Sequence, residues 1–170
     1  MASKNDLAKF LIELSKEDLI KEFEKLYKKF KEVKTFYDIE LSGNTIELLK
    51  KAKAIIGNQY FPKKGYGNPK ASVVKKVIDD FARVSIYPKD LIELNLFRVQ
   101  QAIAFTAAYG DIDMVYYTSL GAAFERTIKL IVQHKYQDEY KIFCKELVDK
   151  TQDFGWGLHD DLSYSYQTYF

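Results

Sequence analysis

The chain has 170 residues, 47% hydrophobic and 29% charged, and its 26 Lys plus Arg against 24 Asp plus Glu leave a net charge of +2. That length is one domain's worth and buries roughly 70% of the surface an unfolded chain exposes, so folding requires no metal or disulfide staple, and the apolar content excludes a disordered chain. Eight Gly and three Pro are too few for an all-β fold rich in tight turns, and one Cys with two His excludes a disulfide framework and a thiolate zinc site.

Apolar residues recur with a 3.6-residue period along the chain. A short helix carrying Leu7, Phe10, Leu11 and Leu14 comes first. Ser15, with Asp18 three residues on, opens the next in the manner of a capping box, and Leu19, Ile20, Phe23, Leu26, Tyr27 and Phe30 share its stripe. A third piece runs through Val33, Phe36, Tyr37 and Leu41 until Ser42-Gly43 breaks it. Asn44 with Glu47 restarts the chain, with Ile46, Leu49, Ile55 and Ile56 facing inward.

Residues 57–71 hold two Pro and three Gly and read as one long irregular stretch. Ser72 is the expected N-cap of a helix bearing Val73, Val74, Val77, Ile78, Phe81 and Val84. Pro88 suits the first turn of the next helix, which runs to Tyr109 and is apolar around most of its circumference (Leu91, Ile92, Leu94, Leu96, Phe97, Val99, Ile103, Phe105). It is the expected buried centre of the fold. Gly110 ends it, and Asp111 is the expected cap of a helix through Ile112, Val115, Tyr116, Leu120, Phe124, Ile128 and Ile131. After a break at His134-Lys135, a helix to Val148 places Cys144 in its apolar register with Tyr140, Phe143 and Leu147. The break Phe154-Gly155-Trp156-Gly157 then precedes a short aromatic helix with Leu158, Leu162, Tyr166 and Tyr169, its two glycines forming a turn that tucks the indole into the core.

The expected fold is all-α, a single domain over residues 1–170, built as a compact bundle of about seven to nine mostly antiparallel helices around 88–109 and 112–133. A faint likeness between Lys16-Glu17-Asp18-Leu19-Ile20 and Lys89-Asp90-Leu91-Ile92 admits a helical-repeat-like arrangement. The N-terminal residues carry no apolar signal region, and no stretch approaches the ~18 apolar residues that cross a bilayer, so the expected location is cytoplasmic with no membrane partner.

Residues 1–76 hold 17 Lys and no Arg against 10 Asp plus Glu, a balance of +7, and residues 77–170 balance at −5. Such a dipolar chain can bind an anion with one half or pair with its own copies as a homo-oligomer, although Lys/Glu usage also serves solvated helix faces. Three loop-to-helix junctions concentrate polar and glycine residues. In the first, Lys63, Lys64 and Lys70 supply charge while Gly65 and Gly67 permit close backbone approach, and free N–H groups of the following helix complete a site for an anion or partner. The Walker spacing is absent, and a structural cross-connection accounts for the same residues.

In the second junction, Asp111 and Asp113 stand two apart at a helix start. They are either ligands of a divalent cation or an N-cap and a first-turn charge, and EF-hand spacing is excluded. The third junction holds the only Trp, with His159, Asp160 and Asp161. If it meets the second, Asp111, Asp113, His159 and Asp160 form the candidate metal set of a cation-dependent enzyme, while the structural alternative is a hydrogen-bonded His. No other cofactor is expected, and no complete catalytic constellation or Gly-x-Ser-x-Gly elbow is present. Lysines interleaved with Tyr27, Phe30, Tyr37, Tyr60 and Tyr66 admit nonspecific nucleic-acid contact, but without Arg in that half sequence-specific readout is not expected. Tyr164, Tyr166, Tyr169 and Phe170 are a candidate protein-binding patch.

The stretches Phe61–Lys70, Tyr109-Gly110-Asp111-Ile112-Asp113 and Gly155-Trp156-Gly157-Leu158-His159-Asp160, with Glu13-Leu14-Ser15-Lys16-Glu17-Asp18-Leu19, resemble a bacterial helical family known only as domain of unknown function 6155. The resemblance covers nearly the whole chain. It implies a bacterial cytoplasmic protein with an all-helical fold and no established activity. Given the lack of a complete catalytic constellation, the asymmetric charge and the Lys63/Lys64/Lys70 loop, the leading functional expectation is a binding or interaction module whose basic Gly-rich loop takes an anionic small molecule or a protein partner. The cation-dependent enzyme is the alternative, and a nonspecific nucleic-acid binder the weaker one.

Overall fold

A computed structural model describes residues 2–170, and among these residues it has nine helices and no strand. They are α1 (Lys4–Glu13), α2 (Lys16–Lys29), α3 (Lys31–Ser42), α4 (Ile46–Tyr60), α5 (Ala71–Val84), α6 (Pro88–Tyr109), α7 (Met114–Gln133), α8 (Gln137–Asp149) and α9 (Leu158–Tyr169). The all-α expectation holds, as does the count. The chain divides into two units, Met1–Asn44 and Thr45–Phe170.

In the first unit the helix starts follow the sequence signals. Ser3 and Asp6 form a full capping box at α1, and the Ser15 hydroxyl accepts from the Asp18 amide at α2. Each satisfies an amide that the first helical turn leaves unpaired, which stabilises a helix by ~1 kcal/mol. Gly43, at φ +64°, ends α3 in the left-handed conformation that glycine adopts without a Cβ clash. Helices α2 and α3 pack together, with Phe23 edge-on to Tyr37 at 6.2 Å and the Tyr27 hydroxyl donating to Asp38. Ile39 is the one residue of these helices that is buried. A groove of about 530 Å³ lined by Leu19, Ile20, Phe23, Tyr37 and Leu41 stays open between them.

The second unit is built on α6, which packs against α4, α5, α7 and α8, while α7 and α8 both pack on α9. Pro88 occupies the first turn of α6, as its fixed φ and missing N–H favour. Ile92, Leu94 and Val99 of α6 are sealed from solvent, as are Phe124, Ile128 and Ile131 of α7 and Leu147, Leu158 and Leu162 of α8 and α9. Fully burying each such side chain is worth about 1.5–3 kcal/mol, so this layer holds the unit together. Cys144 lies in it as expected, and burial pushes its thiol up to about 12.

Several local expectations are corrected. Ile46 and Ile55 are exposed rather than inward, because the buried stripe of α4 runs through Ala52, Ile56 and Tyr60. That same packing carries α4 through Gly57 to Tyr60, so the irregular stretch begins at Phe61: tertiary burial overrides the ~1 kcal/mol that glycine costs a helix. Thr45, not Asn44, precedes α4, and its hydroxyl bonds Asp90. Helix α5 starts at Ala71 with Lys70 in the cap position and no side-chain cap, so Ser72 sits inside the first turn. The C-terminal aromatics are mostly absorbed by the fold: Tyr166 stacks on Phe170 at 5.1 Å and Tyr169 packs on the core, leaving Tyr164 exposed.

Candidate functional site

The three glycine-bearing junctions of the second unit meet. The link between the second and third is Asp111, whose Oδ1 accepts from the Tyr117 hydroxyl at 2.5 Å and from the Gly155 N–H at 3.1 Å. These two donors, the tyrosine first, hold the Asp111 carboxyl below its ordinary range. Asp111 is therefore a tether and not the expected cap. Asp113 caps α7 instead, accepting from the Tyr116 amide at 2.7 Å.

A ladder of rings joins the first junction to the others. Tyr66 meets Tyr109 edge-on at 6.0 Å, Tyr109 packs on Phe105 at 4.8 Å, and Phe105 lies 6.0 Å from both Tyr60 and Phe61. The ladder continues from Phe105 through Tyr116 and Tyr117 to Phe154. Edge-to-face pairs of this kind add about 0.5–1.5 kcal/mol each beyond their area burial. The backbone is correspondingly tight: a Cβ on Gly67 would sit 1.9 Å from the Tyr60 carbonyl oxygen, and one on Gly155 would sit 2.6 Å from Asp111 Oδ2.

The third junction does not tuck its indole inward. Trp156 is 61% exposed and sits at φ +60°, between Gly155 and Gly157 at φ +72°. His159 is structural: Nδ1 lies 3.2 Å from both the Val148 carbonyl and Thr151 Oγ1, and Nε2 lies 3.3 Å from Ser163 Oγ. It ties α9 to the C-terminal end of α8, where the Val148 carbonyl also accepts from the Thr151 amide and hydroxyl. Asp160 is exposed in the first turn of α9, where a carboxylate complements the helix dipole. So Asp111, Asp113, His159 and Asp160 are not gathered around one point. Among the described residues no group of three or more His, Cys, Asp or Glu side chains is placed to hold a metal ion.

What the junctions enclose is a cavity of about 380 Å³, within the range of small-molecule sites. Gly67, Asn68 and Pro69 of the first junction, Ile112 and Asp113 of the second, and the facing sides of α6 and α7 line it. Its one cation is Arg98, only 8% exposed. Arg98 donates from Nη2 to Ser119 Oγ at 3.2 Å, and its charge acts on the nearby Tyr60 hydroxyl. Burial raises the Tyr60 hydroxyl above its usual range, and the guanidinium beside it opposes that rise. Among the described residues no carboxylate pairs with Arg98, so a permanent charge stands in a largely apolar cavity with only neutral partners. Desolvating such an ion costs several kcal/mol. Helix α5 also opens on this cavity at Ala71, with no side chain on its first amides.

Arg98 is the residue the sequence reading missed. It is the only charged residue between Glu93 and Asp111, set among the apolar positions of the central helix. That interruption was the available signal. Of the residues singled out in the basic loop, Gly67 lines the cavity, while Lys63, Lys64, Gly65 and Lys70 are exposed around it in sequence. The basic excess is sharper than the halves implied: residues 1–44 hold nine Lys against nine Asp plus Glu, and residues 45–76 hold eight Lys against Glu47 alone. Lys53, Lys75 and Lys76 of this segment are paired with Glu93, Asp79 and Asp80. Among the described residues no ion pair engages Lys63, Lys64 or Lys70.

A second cavity, of about 330 Å³, contains Lys53, Lys89, Glu93 and Glu139, but its charges pair internally at 3.2 Å and 2.6 Å. No described helix is long and apolar enough to cross a membrane. No curated protein and no solved structure matches the chain. Residues 2–169 match the sequence model described as "Family of unknown function (DUF6155)", and the chain belongs to that family.

Proposed function

We propose that this protein is a binding module for a small organic anion, which enters the cavity between the 61–70 loop and the 110–113 turn and pairs with Arg98. The observation that carries this reading is the buried guanidinium with no carboxylate beside it. A charge held in this way is costly in the empty protein, and an anionic ligand is the group that would offset the cost. Arginine suits the task because its planar fork stays protonated and donates two parallel hydrogen bonds to an oxyanion. The uncapped start of α5 adds a second source of positive potential on the same cavity. Lys63, Lys64 and Lys70 are assigned the outer role of raising the local concentration of anions and so their rate of entry.

Thermal denaturation of the full chain against a panel of organic anions tests the reading. A ligand present at a hundred times its Kd stabilises the native state by about 2.7 kcal/mol. For a chain of this length that raises Tm by roughly 5–11 °C. The Arg98→Met variant should lose the response, and the Lys63/Lys64/Lys70→Ala variant should keep it with a slower, less salt-dependent association. A panel that shifts wild type and Arg98→Met equally would defeat the assignment.

A further inference from the structure

The cavity is polar at one end and apolar along its length, and this extends the anion-pocket reading, on which it rests, to a ligand class. Arg98, Ala102 and Phe105 line it from α6, and Asp113, Tyr116 and Ser119 line it from α7. At 1.5 Å of rise per residue, Phe105 stands about 10 Å along α6 from Arg98, and Asp113 about 9 Å along α7 from Ser119. Arg98 bonds Ser119, and the four residues 110–113 join the two helices beyond Tyr109. The guanidinium therefore marks one end, and Phe105, Ile112 and Asp113 mark the other. The Arg98 end is buried, whereas Ile112 and Val115 are exposed, so the opening lies at the turn. Between the ends the walls are Ala102 and the Tyr116 ring, with Leu120 beside Ser119 at the Arg98 end.

We infer that the ligand is a monocarboxylate with an apolar body, seated with its carboxylate on Arg98 and its alkyl or aryl chain running along Ala102, Tyr116 and Phe105 toward the turn. Charge balance selects the carboxylate over a phosphate. No lysine lines the cavity, so its one cation, Arg98, matches the single charge of a carboxylate, while the exposed Asp113 at the turn repels any anion and opposes a phosphomonoester, with nearly two charges, the more strongly. Donor geometry agrees. Of the five guanidinium N–H groups one goes to Ser119, which leaves enough for the two parallel bonds a planar carboxylate accepts.

Calorimetric titration of the full chain with butanoate, hexanoate and octanoate, and with hexyl phosphate and 1-hexanol, tests this. The acids should tighten roughly fourfold per added methylene until the cavity is full. Hexanol should bind at least about tenfold more weakly than hexanoate, as a lost charge-assisted bond requires. Arg98→Met should abolish the preference for the acid. Ala102→Leu, which narrows the middle of the cavity and leaves the guanidinium in place, should weaken octanoate more than butanoate. That variant and the wild-type series carry the test if Arg98→Met does not fold. Hexyl phosphate binding more tightly than hexanoate, with loss in Arg98→Met, would overturn the carboxylate assignment and leave the anion pocket standing. A flat chain-length series would overturn the apolar body. Hexanol equal to hexanoate, or no acid or phosphate binding that depends on Arg98, would overturn the inference and the anion pocket together.

Discussion

Replacing Arg98 with Met separates a guanidinium kept for a ligand from one kept for the fold. Arg98 is 8% exposed, donates to Ser119 at 3.2 Å and lies near the Tyr60 hydroxyl, and no carboxylate pairs with it. The charged hydrogen bond to Ser119 contributes about 1.5–3 kcal/mol, which the variant loses. Against this stands the removal of a buried ion, whose effective desolvation penalty is several kcal/mol, while the methionine chain retains most of the apolar packing. The two sides cancel to within about 1–2 kcal/mol. At roughly 2–4 °C per kcal/mol, Tm should then change by no more than about 8 °C in either direction. Urea denaturation at 25 °C, with no added anion, should give a midpoint close to wild type and an unchanged slope. A structural guanidinium behaves otherwise: breaking a buried pair costs about 3–5 kcal/mol. A fall in Tm beyond about 10 °C would place Arg98 in the framework of the fold and refute the reasoning.

The other expectations concern the walls of the site and the helices behind it. Gly67→Ala forces a Cβ to within 1.9 Å of the Tyr60 carbonyl and 2.8 Å of the Phe105 ring, so thermal melting should show a loss of at least about 2–3 kcal/mol, and a native-like Tm would mean the loop is not held as described. Gly57→Ala meets Phe97 at an ordinary 3.6 Å and removes glycine's cost in the middle of α4, so it should stabilise by about 0.5–1 kcal/mol; a loss in urea denaturation would contradict the packing there. The Asp111 carboxyl is held below its ordinary 3.8 by Tyr117 and Gly155, so its stabilisation is fully present above that value and drains away as pH falls through the lower, native one. Asp111→Asn should flatten the decline in Tm between about pH 4 and pH 2, and an acid limb identical to wild type would remove the tether from the account.

How far the sequence could be read follows from what kind of interaction sets each feature. Helix positions came from periodicity, which is local: Ser15 with Asp18, Pro88 and Gly43 each act within one turn, and each stands where its chemistry requires. The failures came where distant residues compete for the same group. Asp111 has the position and chemistry of a cap, but Tyr117 and the Gly155 amide claim its carboxylate, and Asp113 takes the cap. Trp156 has the composition of a core residue, yet its turn is set by Gly155 packing against Asp111, and that geometry turns the indole outward. His159 among carboxylates invited a metal reading, but its ring is spent on Val148, Thr151 and Ser163, contacts that no spacing announces.

Arg98 inverts this pattern. Its signal was present, a lone charge within an apolar helix, and it was passed over because attention to loops favours glycines and exposed lysines. A central helix is chosen by burial, and apart from the small Thr106 the other buried positions of α6 are apolar, so a permanent cation there opposes local consistency at a cost of several kcal/mol. Such a residue persists when the fold neutralises it or when something outside the fold does. Here the fold supplies a serine and a tyrosine but no carboxylate, and leaves a cavity beside them. The three junctions then acquire a common purpose. Gly67 brings the first junction's backbone against Tyr60, the second closes the far side through Ile112 and Asp113, and the third holds the second in place through Gly155 and Asp111, around the one buried charge that no carboxylate pairs.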